Sequence, residues 1–314
     1  MPPTTPSSPE NPRPKVSVCV VTYNQEKYIA QCLQSLVDQE TDFPFEVIVS
    51  DDCSTDGTSD IVRDFSKNYP NIIKPIFHEK NLGAYKNFVF VHEQAVGEYI
   101  AHVDGDDYVL PGKLLAQSRY LDANPQCQIV WHQMMILDES SNSYYPQYFD
   151  EINLVPLRLC AEDVVANITA GLHSSKMYRA WVRGAPIIDI EPIDFSENVA
   201  HLGACLDGYA AFLGGGCYGV YRKGIGISRG RWRMRVRIYR WLAYFGEASV
   251  VDRRAVFAKI FWMVLSDIRQ FSRSFWFGAW CLIMFLPWLS LRAVVDSRRR
   301  LLPVSLANSH QGVS

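Results

Sequence analysis

Tyr99-Ile-Ala-His-Val-Asp-Gly-Asp-Asp-Tyr108 runs from five residues, apolar apart from His102, into three carboxylates set around Gly105. The β-branched and aromatic run reads as a strand, so Asp104, Asp106 and Asp107 fall where it leaves the sheet. In open α/β sheets that carboxyl end is where ligands bind. Three like charges within four residues repel one another. A hard divalent cation, Mg²⁺ or Mn²⁺, gives them a reason to sit together. Gly105 lets the backbone turn so that acids two apart can face one ion. The plainer reading is an acidic turn whose Asp caps a helix opening at Pro111.

The flanking pattern supports an α/β sheet. Val16-Ser-Val-Cys-Val-Val-Thr22 is a nearly continuous apolar strand of the kind buried on both faces, and Tyr23-Asn24 turns after it. Apolar residues at Ile29, Cys32, Leu33, Leu36 and Val37 put a helix over 26–39. A strand over 45–50 ends in Asp51-Asp52. Ser54-Thr-Asp-Gly-Thr58 is turn and cap chemistry before a helix through Ile61, Val62 and Phe65. A strand over 72–77, a turn at Asn81-Leu-Gly83 and a helix over 84–95 lead to the acid-bearing strand. A helix over 113–121 and a strand over 129–136 follow. This βαβα order predicts a parallel, doubly wound sheet with right-handed crossovers. Residues 140–228 are less regular, and Gly214-Gly-Gly216 reads as a turn into a late strand over 217–222.

At 314 residues and 48% apolar content the chain holds enough core for one large domain or two. Its net charge of −2 conceals an asymmetry: residues 229–300 carry 14 Arg and one Lys against four acids, a balance of +11, which leaves −13 for the remainder. Eight cysteines without a CxxC pair read as small buried hydrophobes in a reducing compartment, not as zinc ligands or a disulfide framework. Residues 1–14, rich in Pro and Ser, read as a disordered tail and not as a signal peptide.

A parallel sheet brings Asp51-Asp52, Asp104 to Asp107 and the Thr22-Tyr23-Asn24 turn to one edge. Such a cleft offers an aromatic and hydroxyl shelf, a carboxylate for a base or ribose donor, and a cation site, which together suit a nucleoside diphosphate. Neither GxGxxG nor GxxxxGK occurs, so metal and side chains must hold the phosphates. These motifs, with Asn87 and Gly97-Glu-Tyr-Ile100, resemble those of the family 2 glycosyltransferases over about residues 15–135. The resemblance implies a GT-A fold, a Rossmann-like sheet binding a nucleotide-sugar over 15–135, with an acceptor side over 136–228. It implies nucleotide contacts from Thr22, Tyr23, Asn24, Asp52, Asn81 and Asp104. Mn²⁺ or Mg²⁺ would sit on Asp104 and Asp106, with Asp107 beside them. It further implies inversion by single displacement, with a carboxylate base in a Glu-Asp pair upstream of a Tyr-Arg pair. Tyr221-Arg222 matches the latter, while the upstream segment reads Asp194-Phe-Ser-Glu-Asn198. Asn198 thus replaces the family's Asp, and the candidates are Glu197, then Asp194 and Asp207. His173-Ser174-Ser175 resembles an acceptor-side strand, although His173 also suits a structural role. His102 reads as a core histidine.

From Arg229 onward Arg alternates with Trp and aliphatics, and 18 uncharged residues lie between Arg273 and Arg292. As a helix they would reach about 27 Å, close to the roughly 30 Å hydrocarbon core of a bilayer, with Pro287 past the middle. A basic, aromatic helical region over 229–314 therefore reads as membrane-associated, either interfacial or as a single span, with a buried core helix as the plain alternative. The expectation is a metal-dependent transferase on the cytoplasmic face of the cell membrane. Its partners are a nucleotide-sugar donor and a glycan or lipid-linked acceptor, and no nucleic acid. A sugar nucleotidyltransferase and an inactive GT-A membrane scaffold are the rivals.

Overall fold

A computed structural model of the chain describes residues 13–147, 157–167, 171–184, 205, 208–225, 231–247, 251–269 and 274–299. Strand β1 (Val16–Thr22) lies mid-sheet because it is apolar on both faces: Val16, Val18 and Val20 pack on one side, Cys19 on the other. Parallel strands β2 (Phe45–Asp51) and β4 (Tyr99–Asp104) flank it, and β3 (Ile73–Phe77) lies beyond β2. Helices α1 (Ile29–Val37), α2 (Thr58–Asn68) and α4 (Lys113–Ala123) cover the first face through Leu33, Leu36, Val62 and Leu114. The second face is covered by Val91 of α3 (Ala84–Gln94) and by Val164 and Val165 of α5 (Ala161–Asn167). Each aliphatic side chain fully buried in this way contributes roughly 1.5–3 kcal/mol relative to exposure.

Beyond β4 the sheet departs from the simple alternation. Strands β5 (Tyr108–Val109), β6 (Cys127–Asp138), β7 (Ser143–Pro146) and β8 (Leu157–Leu159) precede β9 (Met177–Arg179), and β9 slots antiparallel between β4 and β6. The ten-stranded sheet of the described residues is therefore mixed, in the order β3-β2-β1-β4-β9-β6-β10-β5 with β7 on β6 and β8 on β10. A three-residue strand carries too little periodicity to be read from sequence. Gly214-Gly-Gly216 is not a turn before a strand but a bulge inside one. Strand β10 (Tyr209–Lys223) pairs Leu213 with His132 and Cys217 with Gln133, so the intervening glycines loop out, Gly215 at φ +85°.

Among the described residues four helices follow: α6 (Arg231–Glu247), α7 (Arg253–Arg269), α8 (Phe275–Met284) and α9 (Leu291–Arg299). Fully buried Asp267 pins three segments together, accepting from Tyr239 Oη at 2.9 Å and Ser274 Oγ at 2.8 Å and ion-pairing with Arg235. Gly278 lets α8 approach α6, since a Cβ there would stand 2.4 Å from the Tyr239 ring. The helices join the second face of the sheet, with Tyr239, Leu242 and Phe257 in the same apolar cluster as Val164. The single-span expectation is corrected here. The 18-residue apolar run stops as a helix at Met284 and turns through a short 3₁₀ segment, Leu286–Trp288, around Pro287. Among the described residues, no helix is long and apolar enough to cross a membrane.

Candidate active site

Register assembles the site. β1 pairs Thr22 with Asp51 on one side and Val21 with Asp104 on the other, so both acidic strand ends reach one edge, roughly 10 Å apart across two strand spacings. Gly105 N donates to Val21 O at 2.9 Å, folding the acidic turn back over β1. No side chain fits at that approach: a Cβ on Gly105 would lie 2.5 Å from Gln25 Oε1 and 3.0 Å from Thr22 Cβ. The buried Thr22 Oγ1 and Gln25 Oε1 beside it have no hydrogen-bond partner.

The three acids take different positions. Asp107 is buried with both oxygens engaged, one by Ser174 Oγ at 2.5 Å and one by Arg222 N at 3.0 Å. It braces the turn, although the sequence reading groups it with the cation ligands. Asp104 and Asp106 keep partial exposure. Burial, then the Asp104 charge, pushes Asp106 up to about 6 against the Arg222 charge and a hydrogen bond from Gln25. Burial and the charges of Asp104 and Asp106 push Asp107 well above the carboxylate range. Asp104 goes the other way: burial raises it, but the hydrogen bond from His102 and the nearby basic groups outweigh this and bring it to about 2.

His102 is buried as the sequence suggests, yet it is part of the site. Burial depresses its pKa, so the ring is neutral and acts as an N–H donor. Its Nε2–H donates to Asp104 Oδ1 at 3.1 Å, because an ionised carboxylate only accepts. Its Nδ1 then accepts from His92 Nε2–H at 2.9 Å, and His92 Nδ1 accepts from the Tyr178 hydroxyl. Asp104 thus ends a one-directional chain through β4, α3 and β9. Sequence reading missed His92 and Tyr178 because no local pattern marks residues joined only by the fold.

Other predicted residues are drawn in. Asp52 is 2% exposed and accepts Leu82 N at 2.7 Å and Gly83 N at 2.9 Å, while Asn81 Nδ2 donates to Asp52 O at 3.1 Å. It anchors the Asn81 turn, and each carboxylate oxygen keeps a lone pair for a further donor. Asn24, at φ +52°, accepts Thr55 N at 2.8 Å and ties the β1 turn to the loop after β2. The Tyr23 ring is exposed at this edge. His173-Ser174-Ser175 is a 3₁₀ turn rather than a strand, and Ser174 Oγ accepts from Asp104 N at 3.0 Å while donating to Asp107. Arg222 lies between the Tyr28 and Tyr108 rings, 5.0 and 5.3 Å from their centroids, and donates to Glu139 at 2.6 Å and to Gln31. Glu197, Asp194 and Asp207 lie outside the described residues. A separate cavity of about 600 Å³ opens at the amino edge of the sheet, among Arg13, Lys15, Glu98, Arg179 and Trp181, away from these acids.

The donor set fits a divalent cation. One ligand atom each of His102, Asp104 and His173 lies within 4.8 Å of the others. Both nitrogens of His102 are already bonded, so its contribution is to orient Asp104. Of that group Asp104 and the exposed His173 are left to face an ion, and partly exposed Asp106 lies two residues along the same turn. The carboxylates suit Mg²⁺ or Mn²⁺.

The model for glycosyl transferase family 2 matches residues 17–179, more than half of the chain. The chain belongs to that family. It is 39% identical over 190 residues to the uncharacterized protein Rv1520 of Mycobacterium tuberculosis, an alignment covering 59% of this chain and 53% of that protein. The chain therefore matches about half the length of that relative. Over 111 residues it is 41% identical to the poly(ribitol-phosphate) β-N-acetylglucosaminyltransferase TarS of Staphylococcus aureus, covering 34% of this chain and 19% of TarS. The crystal structure of S. aureus TarS 1–349 in complex with UDP-GlcNAc superposes with a TM-score of 0.64 at 23% identity, over 91% of this chain and 88% of that one. The architecture is the GT-A glycosyltransferase fold.

Proposed function

We propose that this protein transfers a sugar, with inversion, from a nucleoside-diphosphate-sugar to a hydroxyl of a glycan or lipid-linked acceptor. The carrying observation is the pair Asp104 and Asp106 at the carboxyl edge of β4, beside Thr22 and two strands from Asp52. Asp104 and Asp106, with His173, would hold Mn²⁺ or Mg²⁺, which when bound neutralises charge on the departing diphosphate. Tyr23 offers a ring for the base to stack on, and Asp52 has lone pairs for a base or ribose donor. Arg222 and Asp107 keep the acidic turn rigid. Glu197, or Asp194 after it, takes the acceptor proton, an assignment resting on position in the sequence. A UDP-sugar is the first donor to try, since TarS, a relative with a named transfer, is solved in complex with UDP-GlcNAc. The Arg-rich, aromatic rear supports work at the cytoplasmic face of a membrane.

Incubating the full chain with UDP-, GDP- and dTDP-sugars, with and without Mn²⁺, should release nucleoside diphosphate from one of them only with the ion. Asp106→Ala should lower that release at least 100-fold, and an unchanged rate would remove the reading. Pyrophosphate from a nucleoside triphosphate would point instead to a nucleotidyltransferase. Donor binding with no turnover across the panel would point to an inactive scaffold.

A further inference from the structure

Helix α8, the 3₁₀ turn after it and the start of α9 form a face of unusual chemistry. Every exposed position of residues 274–291 is apolar, the largest side chains being Trp276, Trp280, Ile283, Leu286, Leu289 and Leu291. Trp276 and Leu291 are each 78% exposed. The opposite side of the same segment is locked inward. Gly278 lies against the Tyr239 ring, Cys281 is buried, and Phe285 fills the space over Gly246. The outward face is thus held in place by the helices beneath it. Soluble monomers rarely leave a large contiguous patch of this kind in water.

We infer that this face docks in the plane of an anionic phospholipid bilayer, a monotopic surface and not a span. The inference rests on the membrane location proposed above and gives that location a surface. Two observations select lipid over protein. A protein interface of ordinary size makes about ten hydrogen bonds, whereas the exposed side chains of this face carry no hydroxyl, amide or charge, only the indole N–H groups of Trp276 and Trp280. Half-buried Ser290 already accepts Ala293 N through its Oγ at 3.2 Å. Its flanks in sequence are predominantly basic: Arg269 and Arg292 are exposed, Arg292 lying 3.7 Å from Asp296, and Arg273, Arg298, Arg299 and Arg300 make up the excess. Aliphatic side chains suit the acyl boundary, Trp suits the headgroup level, and guanidinium suits lipid phosphate. The ten residues of α8 reach only about 15 Å, so the helix lies along the interface.

The full chain, without any sugar nucleotide, should float with vesicles of phosphatidylcholine and phosphatidylglycerol. It should bind pure phosphatidylcholine more weakly, and tryptophan emission should shift to the blue on binding. Added salt should weaken the anionic component. Trp276→Ser with Trp280→Ser should cut partitioning at least tenfold without moving the thermal midpoint, and Ile283→Asp should do the same from a different residue. Absence of binding to either vesicle, or binding indifferent to both variants, overturns the inference. So does a dimer in light scattering that the same substitutions dissolve, since a second copy would then own the face. Vesicle binding is read without donor, so its failure leaves the transferase reading intact. A protein that binds vesicles but turns over no donor defeats only the transferase reading.

Discussion

Asp267 and Asp106 are both acids drawn away from water, but only Asp267 is surrounded by its complement. In the C-terminal helices the carboxylate meets Arg235, Tyr239 and Ser274, and this pins three segments. At the edge of β4 three carboxylates share one turn, and burial, then the charges of neighbouring acids, raises Asp106 and Asp107. On the proposed function, this difference separates an acid kept for stability, Asp267, from acids kept for a ligand, Asp104 and Asp106. Four measurements test that separation.

The largest effect should come from Asp104→Ala, a loss of nucleotide-sugar turnover on the order of 1,000-fold, with a thermal midpoint close to the parent's. Collapse of the fold instead would make Asp104 structural like Asp267. Next, Asp267→Ala strands Arg235 and should destabilise by about 3–5 kcal/mol, lowering the midpoint in calorimetry by on the order of 10 °C. A stable Asp267→Ala protein would erase the contrast from the other side.

Smaller and more diagnostic is His102→Ala. Removing the donor that orients Asp104 should weaken Mn²⁺ dependence by about 10–100-fold, read as the metal concentration for half-maximal rate. His102→Asn, which keeps an N–H, should recover part of it. Equal loss in both variants would reduce the chain from Tyr178 to a packing feature. The smallest effect concerns Lys113, fully buried, which donates to Ser174 O at 2.7 Å and to His132 Nε2 at 3.0 Å beneath the acidic turn. Burial, then Lys176, lowers its pKa to about 7 against the pull of Asp107. The folded state therefore binds this proton more weakly than the unfolded chain does. Stability should rise as pH goes from about 7 towards about 10, by part of the limiting 1.4 kcal/mol per unit, roughly. Lys113→Met should flatten that rise in urea titrations, and an unchanged slope would show that Lys113 stays charged.

Much of the donor half was legible because it is written locally. Val16 to Thr22 and Tyr99 to Val103 carry their burial in consecutive residues, and the acids follow a strand end that topology sends to a known edge. The region after residue 136 was harder for a physical reason. β9 has three residues, and its place between β4 and β6 depends on a gap that only the assembled sheet contains. The glycine bulge in β10 has the composition of a turn, and only pairing with β6 tells the two apart.

Sequence alone settled the family resemblance, the acidic turn after a strand and the basic, aromatic character of the rear, since each is a property of neighbouring residues. Tertiary structure decided which acids face outward, that His102 reaches Asp104 with His92 and Tyr178 behind it, and that the apolar run breaks into short helices. Those outcomes depend on contacts between residues far apart in the chain, such as the 86 positions separating His92 from Tyr178. Such contacts form only when the sheet and helices close, and nothing in the local pattern records them.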